Sequence, residues 1–149
     1  DSIYLGSAIQ GEAREVAKAL GGIYTEIEKG NSDLKKPLAV LSGGETTVNV
    51  KGNGLGGRNQ EMALAMVEII KDKKITFASF GTDGIDGNSP ADGAIVDGKT
   101  FEMTKSLGFD PKDFLSRNDA FNFFDKTGLS ITTGPTGTNV MDIQIAVVE

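Results

Sequence analysis

The run Gly52-Asn53-Gly54-Leu55-Gly56-Gly57-Arg58-Asn59-Gln60-Glu61 holds the residues best suited to chemistry. Glycines let backbone N–H groups approach an anion closely, and a helix starting at the end of the run adds a dipole that favours negative charge. Arg58 falls in the first turn of that helix, where its guanidinium fork can hold two phosphate oxygens. A cation there opposes the helix dipole, so its position calls for another reason. The bland alternative is a glycine-rich turn with a surface arginine. The run also contains Gly52-x-Gly54-x-x-Gly57, the spacing of a dinucleotide-binding turn, which alone is a weak signal. The acid expected about twenty positions later falls within Ile75-Thr76-Phe77-Ala78, where there is none.

Three more loops carry small donors and acceptors. In Gly81 to Gly93, Asp83, Asp86, Asn88 and Asp92 offer oxygen ligands at the end of a predicted strand, where α/β folds often place sites. Magnesium takes one or two carboxylates together with substrate phosphates and water, which makes Asp83 and Asp86 candidate ligands. Ser42-Gly43-Gly44-Glu45-Thr46-Thr47 and Thr133-Gly134-Pro135-Thr136-Gly137-Thr138-Asn139 present hydroxyls and exposed N–H groups to phosphate or carboxylate oxygens. Each loop is also what an ordinary turn prefers. Four of them in one small domain raise the expectation of a shared cleft. There is no histidine and no cysteine, so any chemistry must use carboxylates, Arg, Lys, hydroxyls, amides and backbone N–H groups.

These loops need strands and helices to position them. Ile3 to Ser7 reads as a short strand or a lead-in. Ala13, Val16, Ala17, Leu20, Tyr24 and Ile27 recur with helical spacing, and the stripe favours one long helix despite Gly21-Gly22. Strands are predicted at Leu38–Leu41, Thr46–Val50, Ile75–Phe80, near Leu129–Thr132 and at Ile143–Val148. Helices are predicted at Arg58–Lys71, apolar on nearly every side, around Lys99–Leu107, and within Pro111–Phe124. The alternation predicts an α/β layered domain with a mixed, mostly parallel sheet flanked by helices. The chain has 149 residues, a length that suits one core, and a net charge of −6, which argues against nucleic acid or anionic membrane as partner. No targeting segment or membrane-spanning run is seen. The opening at Asp1 reads like the middle of a fold, as expected of a fragment.

Taken in order, Ser42-Gly43-Gly44-Glu45-Thr46-Thr47, Gly56-Gly57-Arg58-Asn59-Gln60-Glu61, Thr82-Asp83-Gly84-Ile85-Asp86-Gly87 and Gly134-Pro135-Thr136-Gly137-Thr138-Asn139 resemble the MOFRL domain of type-2 glycerate kinases. Gly11-Glu12-Ala13-Arg14-Glu15 is similar to that family's lead-in helix. The resemblance covers nearly the whole chain. It implies that residues 1–36 join a larger, Rossmann-like N-terminal domain and that residues 37–149 are the MOFRL-like C-terminal domain. It further implies ATP-dependent phosphorylation of D-glycerate to 2-phosphoglycerate, with Mg2+, in a cleft between the two domains.

On this resemblance Arg58 and Asp83 are catalytic, and Asp83 and Asp86 are the candidate metal ligands. Ser42, Gly43, Gly44, Glu45, Thr46, Gly54, Gly56, Gly57, Asn59, Thr136, Thr138 and Asn139 are expected to bind substrate or phosphate. Arg58→Ala is expected to lower turnover and leave folding intact. The family's catalytic lysine lies in the N-terminal domain and has no counterpart here, so the piece alone is expected to be inactive. A cytoplasmic location is expected, and a homodimer is left open. Two competing readings are an NAD(P)H-dependent hydroxypyruvate reductase and a non-catalytic anion-binding module.

Overall fold

The helical stripe from Ala13 to Ile27 forms α1 (Ala13–Glu28), which runs unbroken through Gly21-Gly22. A methyl group on Gly21 would collide with Ile69 of α2 (Arg58–Ile69), so glycine allows the two helices to pack closely. The computed structural model describes residues 1–149. The other elements are β1 (Ser2–Ile9), β2 (Leu38–Gly44), β3 (Ile75–Gly81), β4 (Gly93–Asp97), α3 (Thr100–Ser106), α4 (Pro111–Ser116), α5 (Ala120–Thr127), β5 (Ser130–Ile131) and β6 (Asp142–Val148).

The strands form one mixed sheet in the order β1-β2-β6-β3-β4-β5. Layering of helices on a mixed sheet is as the sequence predicts, but the sheet is not mostly parallel. Only β1 and β2 pair in parallel; the other four pairings are antiparallel. The reason is β6. The crossover from β2 through α2 to β3 does return the chain in the same direction, but β6 inserts between the two strands and runs against both. The predicted strand Thr46–Val50 is also absent. Thr47 makes a single parallel bridge to Glu12, and the chain then leaves the sheet to wall a cleft. Residues 1–36 are built into the same body, since β1 extends the sheet and α1 lies on α2.

Along β2, β3 and β6 burial alternates. Leu38, Val40, Ile75, Phe77, Ala146 and Val148 face the helices and join Tyr24, Met62, Met66, Val67, Phe123 and Phe124 in one core. Each large side chain buried there contributes about 1.5–3 kcal/mol. Tyr24 is fully buried, and burial pushes its phenol up to about 12; the nearby Ser42 hydroxyl opposes this without making a hydrogen bond of full geometry.

Candidate active site

Strand ends and the start of α2 set out the site. β1 delivers Gln10 and Gly11, β2 delivers Glu45, Thr46 and Thr47, and the glycine loop leads into Arg58. Together with Asn88 and Asn118 these residues line a cleft of about 880 Å3. Only three of the sixteen lining residues are hydrophobic, and glycine backbone and the carbon atoms of polar side chains make up much of the wall.

The reason for a cation in the first turn of α2 is Asp142, at the start of β6. Its carboxylate is fully buried and accepts from Arg58 Nε at 2.6 Å and Arg58 Nη2 at 3.0 Å. The hydrogen bonds to Asp142 raise the Arg58 pKa further, so the guanidinium stays charged. Glu45 lies 3.6 Å from Nη2. Nη1 has no partner within the protein, and Arg58 lines the cleft. Thr46 also lines it. Thr46 is 3% exposed, and its Oγ1 has no hydrogen-bond partner. A buried hydroxyl without a partner costs about 1–3 kcal/mol.

The start of α2 already holds an anion, supplied by the protein itself. Asp86 is 2% exposed, and its carboxylate accepts from Asn59 N at 3.1 Å, Gln60 N at 2.9 Å and both side-chain amides. It satisfies the helix donors that the sequence reading assigned to phosphate. Burial raises the Asp86 pKa, and the amide hydrogen bonds oppose the shift. Gly57 permits the contact, because a methyl group there would overlap Asp86. With both oxygens engaged by donors at its start, Asp86 caps α2.

The glycine loop is likewise held by protein groups. Asn118 Oδ1 accepts from Lys51 N at 2.7 Å and Gly52 N at 3.0 Å, and Asp119 Oδ1 accepts from Leu55 N at 3.0 Å. Gly54 N donates to Arg117 O, and Gly56 N donates to Asn88 Oδ1. Asn118 in turn donates to Glu61, a 2% exposed carboxylate that also receives Arg14 Nε at 2.9 Å. The connector between α4 and α5 thus fixes the loop's shape. Most of its N–H groups serve that purpose and are not available to a dinucleotide pyrophosphate.

Glu45, Thr46, Gly54, Gly56, Gly57 and Arg58 therefore line one cleft. Other candidates are placed elsewhere. Ser42 is buried and donates to Gln144, and Asn59 is buried between Asp86 and Ser79. Gly43 and Gly44 make room for backbone, since a methyl on Gly44 would overlap Ile9 and one on Gly43 would sit 2.9 Å from the Asp142 carbonyl. Asp83, Thr136, Thr138 and Asn139 form a second cluster on neighbouring loops outside the cleft lining. There Asn139 donates to Asp83 Oδ2 at 3.3 Å, and Thr136 donates to the Thr82 carbonyl. No three carboxylates converge, so the residues present fit magnesium only through Asp83, with phosphate and water completing its shell. Sequence reasoning missed Asp142, Asn118 and Gln10, and it gave Glu61 no role. An acid directly ahead of the apolar strand Ile143–Val148 was the one available signal.

The α/β domain thus carries a cleft walled by Arg58, Glu45 and a glycine loop that other protein groups hold in shape. The MOFRL family model matches residues 38–142, and this chain belongs to the MOFRL family. It is 46% identical over 138 residues to the D-glycerate 2-kinase of Thermotoga maritima, covering 92% of this chain and 33% of the relative. It is 38% identical over 143 residues to the glycerate 2-kinase of Pyrococcus horikoshii, covering 95% of this chain and 32% of the relative. A provisionally named hydroxypyruvate reductase of Agrobacterium vitis is 38% identical over 145 residues, 95% of this chain and 33% of the relative. The crystal structure of glycerate kinase from Thermotoga maritima superposes with a TM-score of 0.96 at 42% identity, covering all of this chain and 36% of that one. The chain spans about a third of the length of the curated relatives it matches.

Proposed function

We propose that residues 1–149 are the C-terminal part of an ATP-dependent D-glycerate 2-kinase that transfers the γ-phosphoryl group to give 2-phosphoglycerate. The observation that carries the reading is Arg58, clamped on Asp142 through Nε and Nη2 with Nη1 left for a ligand in the cleft. Phosphoryl transfer depends on positioning and on neutralising charge over the equatorial oxygens, and it needs neither histidine nor cysteine. In this reading Nη1 of Arg58 orients and neutralises an anionic oxygen, with Thr46 on the adjoining wall. Asp142 fixes the guanidinium plane, and Glu45 borders the cleft mouth.

Asp83, whose Oδ1 and Oδ2 each accept one long hydrogen bond (from Ile85 N and Asn139) where Asp86 accepts four in all, would hold magnesium on the adjoining loop, where the ion would supply charge neutralisation to nucleotide phosphates. Groups outside residues 1–149 complete the site, so the piece alone is inactive. The reductase reading rests on the names of some relatives. It is disfavoured by the engaged N–H groups of the glycine loop.

The test is coupled ATP consumption with D-glycerate and magnesium, run on the full-length protein and on residues 1–149 checked for folding by circular dichroism. Turnover in the longer protein alone is expected. Turnover by folded residues 1–149, or NADH oxidation with hydroxypyruvate in place of ATP consumption, would overturn the reading.

A further inference from the structure

All five helices contribute to or flank the core on one face of the sheet, and the opposite face has no helix on it. Strand register shows what that face carries. One row across five strands is Tyr4, Leu41, Ile145, Ala78 and Ile95. A second is Gly43, Ile143, Phe80 and Gly93, and a third is Ala39, Val147 and Thr76, ending at Asp97. Asp97 in the corner is the only charge in the three rows. Tyr4 is 66% exposed, Ile95 42% and Val147 37%, and the larger side chains between them are half-buried by one another.

Strands about 4.8 Å apart and rows about 7 Å apart make this a patch of about 500 Å2. That is as large as the largest apolar patch of a typical monomer, and such patches mark contact surfaces. Leu38–Gly44, Ile75–Gly81 and Asp142–Val148 also read as nearly continuous apolar runs, the signature of strands buried on both faces.

We infer that this sheet face is the seat of the remaining two-thirds of the longer protein, which docks on it as a permanent intramolecular interface. Two observations favour that occupant. The chain spans only about a third of its relatives, and in them a body about twice its size accompanies the matching part. The patch also ends at the edge of the sheet that carries the site: Gly44, Asp142 and Gly81 are the strand neighbours of Gly43, Ile143 and Phe80, and Asp142, whose side chain turns to the helix face, clamps Arg58. A body seated on the face overhangs the rim where Arg58 and Asp83 lie. A tethered partner also docks at high effective concentration, so an apolar face of this size suffices. The inference rests on the chain being part of a longer protein and not on the identity of the reaction.

The experiment uses the full-length protein. Residues 1–149 contain no cysteine, so Ile145→Cys and, as an exposed control, Lys18→Cys each place one thiol at a known position in this part of the chain. Modification by a maleimide is followed by mass spectrometry of the peptide that carries the new thiol, over a range of protein concentrations with the oligomeric mass measured alongside. Ile145→Cys should react at least about tenfold more slowly than Lys18→Cys at every concentration, including where the protein is monomeric. Equal reactivity in the monomer would overturn the inference. So would protection that appears only as a dimer forms, which would assign the face to a second copy. ATP consumption measured on the same samples separates the two readings, because the labelling pattern stands whether or not D-glycerate is the substrate.

Discussion

Replacing Asp86 with alanine separates a structural cap from a metal ligand. The carboxylate accepts two backbone N–H groups and two side-chain amides, all in a buried setting. Alanine leaves these donors without an acceptor, at about 1–3 kcal/mol for each one that water cannot reach. Gly87 and Asn88 next to Asp86 are exposed, so water will reach some of them. The net loss should be about 3–4 kcal/mol, or about 10 °C in melting temperature. The raised pKa of Asp86 adds a second signature. Because the folded state holds this proton more tightly than the unfolded one, Asp86 makes stability fall as pH rises from the ordinary carboxylate range through its raised value. Asp86→Asn should remove that part of the slope. Thermal unfolding of wild-type and variant proteins, side by side across acidic pH, checks both points. An unchanged melting temperature combined with lost magnesium dependence would refute the cap and restore Asp86 as a ligand.

Further expectations follow from neighbouring contacts. Arg58→Ala should not leave folding intact, because it strands the buried Asp142 carboxylate; with Arg58 33% exposed the cost should be about 2 kcal/mol by urea unfolding. Asn118→Ala should destabilise by about 2 kcal/mol and raise KM more than it lowers kcat, since it removes the acceptor for Lys51 N and Gly52 N at a residue with φ of 53°. Tyr24→Phe should flatten the alkaline limb of the stability curve. The phenol, held up to about 12, contributes stability below its ordinary value near 10 that is lost as pH rises through the folded value. Absorbance titration of the tyrosines tests this directly.

The helices α1 and α2 were legible because their apolar spacing states their burial, and the strands Leu38–Gly44, Ile75–Gly81 and Asp142–Val148 because they are apolar runs between turn residues. The direction of the pairings was not. Alternating strands and helices imply parallel neighbours, and nothing local in Ile143–Val148 announces that it will insert between β2 and β3. β4 was missed because its five residues are too short a run to stand out. The glycine loop and Arg58 do line the cleft, but Asp86 and Asn118 occupy donors that the sequence makes look available to phosphate. Those partners lie 26 and more positions away, and their meeting is a product of the fold.

The most direct test of the account is product formation from D-glycerate, ATP and magnesium by full-length wild-type and Arg58→Lys proteins, followed by phosphorus-31 spectroscopy. Lysine keeps a charge near Asp142 but loses the planar fork that presents Nη1 to the cleft. The account predicts 2-phosphoglycerate from the wild type and turnover reduced at least about 100-fold in Arg58→Lys. A near wild-type rate in the variant, or no phosphorylated product from the wild type, would contradict it.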